Sequence, residues 1–138
     1  MDIGQTITCI AWRAGASSAV KSQARHREEI ARMAEEGNAD AQFQLATNLF
    51  ESDQATSWKW YCEAAMNGHS SARVATGFYY EYGLEPVEPD SVTALMWYRL
   101  ADEEGQEWAE KLEKEIDQMK IEKADRLARD WIPGICKK

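Results

Sequence analysis

The chain has 138 residues, a formal net charge of −8, 44% hydrophobic and 29% charged residues. It is long enough for one domain with a buried core and too apolar for a disordered chain. The acidic balance weighs against a nucleic-acid backbone or an anionic membrane surface as partner, because both call for a basic footprint.

Residues 1–17 show no clear periodicity, contain Gly4, Gly15 and a lone Trp12, and read as a loose N-terminal arm. They lack the charged start and long apolar centre of a secretion signal. A cytoplasmic setting is expected, or a periplasmic or exported one if the native N-terminus carries a leader. No apolar run reaches the length of a membrane span. Cys9, Cys62 and Cys136 are odd in number and widely spaced. They form neither a metal-ligand pattern nor a disulfide framework, which favours a reducing compartment, with Cys62 a small core residue.

From 18 to 36 the chain is free of Gly and Pro, and Ile30, Met33 and Ala34 give one helical face. Gly37 stands where a left-handed cap residue ends a helix. The next helix spans 38–52, capped by Asn38 or Asp40, with Ala41, Leu45, Ala46 and Leu49 inward and Phe50 beside them. Helices are expected over 54–67, 70–82 and 90–104. Another runs over 106–118, with Ala109, Leu112, Ile116 and Met119 on one stripe. A phase break at 118–120 then starts a last helix, carrying Ile121, Ala124, Ala128 and Trp131 and stopped by Pro133-Gly134.

The stretch 57–68 returns later. Trp60, Tyr61, Ala64 and Gly68 become Trp97, Tyr98, Ala101 and Gly105, each 37 residues on. The preceding helix repeats at 31 instead, Ala41 with Ala72 and Ala46 with Gly77. The six-residue difference falls in a loop that only the second unit carries, Leu84-Glu-Pro-Val-Glu-Pro89. Helices that keep register while loops absorb insertions are the mark of stacked helical hairpins. The small pair Ala46/Gly77 suits a close helix crossing. The fold class is therefore all-α, an α/α solenoid of antiparallel hairpins. The segment 18–36 serves as a degenerate first cap, and 105–132 as the C-terminal cap of a domain spanning 18–132, followed by a tail at 133–138.

The sets Gly37-x3-Ala41-Gln42-x2-Leu45-Ala46 and Trp60-Tyr61-x2-Ala64-Ala65-x2-Gly68 resemble the Sel-1-like repeat, a longer relative of the tetratricopeptide repeat. The second copy is closer to the pattern, with Gly68, Ala72, Gly77, Tyr80 and Gly83, then Asp90, Ala94, Trp97, Tyr98, Ala101 and Gly105. Departures are Ala46 for Gly, Leu49 for Tyr, Thr76 for Leu and Asp102 for Ala. The resemblance implies two repeats, about 37–67 and 68–104, and a role as a protein–protein adaptor that uses its concave face.

Positions of the first helices not needed for the core are then candidate partner-binding residues: Gln44, Thr47, Asn48 and Glu51 in one unit, Phe78, Tyr79 and Tyr82 in the next. Aromatic anchors beside amides suit peptide recognition. The competing reading is that the C-terminal helix or the N-terminal arm packs over these aromatics. Phe78→Ala with Tyr82→Ala is expected to abolish binding and leave the melting temperature nearly unchanged. Trp58 reads as a contact between units. The match Ser18-Ala-Val-Lys21 to the Ser-x-x-Lys motif of penicillin-recognising enzymes lacks its companion motifs and reads as chance. His26 and His69 make no zinc site. No catalytic residue, metal or cofactor is expected. The partner is another protein or peptide, with no nucleic acid and no membrane, and the protein is a monomer or a weak self-associating module. A self-associating structural module is the alternative function, and a cell-wall or lactam hydrolase ranks below it.

Overall fold

The computed structural model describes residues 3–134, with side chains from 18 onward. Seven helices follow in order: α1 (Ile3–Glu35), α2 (Ala39–Leu49), α3 (Gln54–Met66), α4 (Ser70–Tyr82), α5 (Ser91–Leu100), α6 (Asp102–Glu113) and α7 (Gln118–Arg129). No strand occurs among the described residues. Helices α2 and α3 form one hairpin and α4 and α5 the next. Helix α3 packs on α4 to join them, and α6 and α7 both pack on α5. Helix α1 caps the other end through α2.

Local chemistry sets the joints. Gly37 and Gly68 take φ of +95 and +89, which L side chains rarely adopt. Each closes the preceding helix with a paired bond: Asn38 N–H donates to Met33 O at 3.0 Å, and His69 N–H to Ala64 O at 3.0 Å. The residue after each glycine then caps the next helix. Asn38 accepts from Ala41 N–H at 2.9 Å, and His69 does the same with Nδ1, from Ala72 N–H at 3.1 Å. Asp53 and Asp90 cap α3 and α5. The inserted loop sends Val87 into the core between the two units.

The core is built from small residues at crossings and aromatics between units. Ala46, Ala64, Ala65, Ala72, Ala94 and Ala101 are fully buried. A Cβ added to Gly77 would stand 2.6 Å from Tyr98 Cδ1, so the α4–α5 crossing needs glycine there. Trp58 is buried against Tyr79 and Tyr80 of the following unit, with centroids at 5.0 and 5.6 Å. Gln42 is buried but satisfied, donating to Ala34 O at 3.0 Å and accepting from Asn67 at 2.9 Å. Arg73 reaches across both hairpins. It donates to Ala65 O at 2.9 Å and to Leu100 O at 2.7 Å, while its guanidinium covers the Trp131 ring at 5.1 Å.

Several expectations are corrected. The backbone over 3–17, where no periodicity was visible, is helical and forms the first half of α1. Two glycines weaken a helix by about 1 kcal/mol each, and no proline breaks it. Helix α5 stops at Leu100 rather than at 104, and Asp102 turns the chain with φ of +54. Gly105 therefore lies inside α6, where a Cβ would overlap the Tyr98 carbonyl. The absent side chain lets α6 start against the last turn of α5. The later break falls at 114–117, and Asp117 caps α7. Met119 thus leaves the inward stripe and is 80% exposed. Leu45 and Leu49 are only half-buried. Cys62 is buried and disulfide-bonded, which the sequence spacing did not suggest.

Candidate functional site

An apolar groove of about 300 Å³ opens between α2 and α4. The buried rings of Tyr61 and Tyr79 form its base. Phe43 and Phe50 supply one wall from α2, and Val74, Ala75 and Phe78 the other from α4; Leu84 stands where α4 ends. The walls are held by ring contacts. Phe43 lies 5.7 Å from Tyr61 and stacks on His69 at 4.5 Å, while Phe50 meets Tyr79 edge-on at 6.2 Å. Such pairs fix ring orientation as well as burying area. No acid, amine or imidazole lines the groove.

Gln44, Thr47 and Asn48 of α2, and Glu51 just past its end, are exposed. The Thr47 hydroxyl is tied to Phe43 O at 2.9 Å and to the Tyr61 hydroxyl at 3.2 Å, so it leans over the groove. Asn48 faces the other way, onto a polar cleft lined by Ser22, Gln23, His26 and Arg27 of α1. Tyr82 is 62% exposed. Phe78 is half-buried, because Trp108 of α6 meets it edge-on at 4.7 Å and Tyr98 lies at 5.9 Å. Covering of this aromatic by the C-terminal cap is thus partial.

Tyr79 is the clear correction: at 1% exposure it belongs to the core and not to a solvent-facing surface. It corresponds to Asn48, 31 residues earlier. Helix α4 has the whole preceding hairpin beneath that face, so Tyr79 packs on Phe50, Trp58 and Tyr61. Helix α2 has only α1 there, and Asn48 stays wet. Burial pushes the Tyr79 hydroxyl up in pKa, with Ser57 partly offsetting it. Among the described residues no partner completes a hydrogen bond to that hydroxyl, and the Ser57 hydroxyl donates to Ala46 O at 2.6 Å. Tyr98 is shifted further upward, first by burial and then by donating its proton to Glu81.

Sequence reasoning missed Phe43, Phe50 and Leu84 as groove residues. Phe43 and Val74 are both apolar at the 31-residue spacing, beside the inward stripe, and that was the available signal. Ser18 and Lys21 lie exposed on α1. Among the described residues no cluster of His, Cys, Asp or Glu could hold a metal ion.

A family model for the Sel1 repeat matches residues 39–69 and 70–106, one hairpin each. These are Sel1 repeats. Sel1 repeats commonly serve as protein–protein interaction modules, and their fold is typically a non-catalytic scaffold. A solved relative agrees in architecture. It is c5321, a protective antigen present in uropathogenic Escherichia coli strains and displaying an SLR fold, with 30% identity and a TM-score of 0.70. The match covers 75% of this chain and 24% of that one, so the chain spans about a quarter of that Sel1-like protein. No curated protein matches. Helices α2 and α4 are the first helices of the two matched repeats, and the groove lies between them.

Proposed function

We propose that this Sel1 array binds a protein segment by taking one or two of its apolar side chains into the α2–α4 groove. The observation that carries the reading is the groove itself, apolar on both walls and about 300 Å³ in volume. That suits roughly one or two side chains of Leu or Phe size, with specificity left to a polar rim. Thr47, Gln44 and Glu51 supply the rim on the α2 side, and Asn48 extends it towards α1. Tyr82 and the open edge of Phe78 offer aromatic contact area on the α4 side. Tyr79 contributes only as base. An amphipathic helix or an extended strand of the partner can present apolar residues at the needed spacing. The role is binding, without chemistry on the partner.

The test uses a blocked groove. Ala75 is half-buried at the α4 wall, so Ala75→Arg puts a long cationic chain across the opening while its head reaches water. Peptides selected from a random display library on the wild-type protein are expected to share spaced apolar residues. Their affinity for Ala75→Arg should fall at least about tenfold, the loss of one anchor. Selected peptides that bind both proteins equally would place recognition elsewhere.

A further inference from the structure

Charge is segregated along this chain. Residues 3–27 contain Arg13, Lys21, Arg25 and Arg27 and no acid, whereas 102–117 contain eight acids and two lysines. The two segments sit at opposite ends of the stack, since α1 packs on α2 while α6 packs on α5 and α4. Helix α1 has 33 residues and α2 has 11. At the rise of an α-helix, α1 overshoots its partner by roughly 30 Å. None of residues 18–29 is buried. Lys21, Arg25 and Arg27 have no ion-pair partner among the described residues, while Arg32 is taken by Glu29 at 2.6 Å and by Glu36. On α6, Glu103, Glu104, Glu107 and Glu110 are exposed, and only Glu107 of these meets a cation, Lys111 at 2.8 Å.

Repeat register adds a second observation. By repeat register, helix α1 takes the place of the second helix of a unit, since Gly37 at its end matches Gly68 at the end of α3. The cleft lined by Ser22, Gln23, His26, Arg27 and Asn48, about 700 Å³, lies beside it on the α2 side. Helix α6 is a first helix by pattern, since Gly105-x3-Ala109 repeats Gly68-x3-Ala72. One end of the described stack therefore offers a basic second helix, and the other end an acidic first helix.

We propose that the basic, exposed face of α1 over residues 18–27 docks on the acidic α6 face of a second copy, giving head-to-tail assembly. The contact is heterologous, so each copy keeps one free end of each kind and the assembly grows as an open chain. A single helix face of this length buries roughly 300 Å² per partner, well under the ~800 Å² of a stable interface. The assembly is accordingly weak and depends on low ionic strength. It is independent of the α2–α4 groove.

The test is sedimentation velocity on the full chain over a concentration series, at about 20 mM and about 500 mM salt, where screening differs strongly. The sedimentation coefficient should rise with concentration at low salt, and the half-assembly concentration should rise at least about tenfold at high salt. Two charge-reversed variants follow, Lys21→Glu/Arg25→Glu/Arg27→Glu and Glu103→Lys/Glu107→Lys/Glu110→Lys, each checked for native helicity. Each alone should stay monomeric, and an equimolar mixture should associate again, since each end of one variant is then opposite in charge to the facing end of the other. A concentration-independent monomer of the wild-type chain at low salt overturns the proposal, including one that instead binds anionic lipid vesicles. So does a mixture of folded variants that fails to associate, or a triple glutamate variant that assembles as wild type does.

Discussion

Phe78 separates the two roles that an aromatic at the groove can play. Replacing a fully buried Phe by Ala costs about 3–5 kcal/mol. Phe78 is half-buried, so about half of that applies from area. Its edge-on contacts with Trp108 at 4.7 Å and Tyr98 at 5.9 Å bring the total to about 2–3 kcal/mol. Tyr82, at 62% exposure, should cost about 0.5 kcal/mol or less when truncated. The double alanine variant is thus not thermally silent, contrary to the expectation from sequence, and nearly all its loss belongs to Phe78. Phe78→Leu keeps most of the volume and should lose less than about 1.5 kcal/mol. Urea unfolding of the three variants, followed by Trp fluorescence and extrapolated linearly, measures each figure. A loss below about 1 kcal/mol for Phe78→Ala would refute the packing of α6 over this wall, and the groove would then be open on that side as well.

Other substitutions test the core around the groove. Gly105→Ala should destabilise by at least about 3 kcal/mol despite its better helix propensity, because the Cβ overlaps the rigid Tyr98 carbonyl; a gain in stability would refute the close approach of α6 to the last turn of α5. Tyr79→Phe removes a buried hydroxyl that lacks a full hydrogen bond, so chemical denaturation should find stability unchanged or raised by up to about 1 kcal/mol, and a clear loss would mean the hydroxyl is bonded. The raised pKa of Tyr98 means the unfolded state ionises first. Stability should be full below about pH 10 and fall as pH rises above it, which phenolate absorbance and circular dichroism followed together would detect. Asp53 is held below the usual aspartate range by the Thr56 hydroxyl and N–H, so its contribution as the α3 cap is present above that range and lost as pH falls through its lower folded value. Acid melting curves of wild type and Asp53→Asn should therefore converge only at low pH.

The hairpin register was legible because it rests on local chemistry. Gly37, Gly68, Asp53 and Asp90 act within three or four residues of themselves, and the 31 and 37 spacings align units whatever their contacts. The Ala46/Gly77 pair was readable for the same reason, since a crossing that tolerates no bulk leaves its mark at one position. What escaped the sequence depends on neighbours supplied by distant segments. Asn48 and Tyr79 share a repeat position, yet one lies at the edge of the stack and the other inside it. The end of α5 at Leu100 follows from the fit of Gly105 on Tyr98, and no rule of composition places a helix break between Leu100 and Glu104. The long α1 was hidden because its first half has weak apolar periodicity.

Arg73 changes how such an array comes apart. In a linear stack each unit touches only its neighbours, so terminal units fray first and stability is close to a sum over adjacent pairs. Arg73 binds the carbonyl end of α3, the carbonyl end of α5 and the ring of Trp131 in one side chain. It therefore couples the first hairpin, the second hairpin and the closing segment beyond nearest neighbours. Fraying at the C-terminal end must break a contact that also holds the middle of the stack. Unfolding of this short array is drawn towards a single cooperative step, and the walls of the groove are kept or lost together.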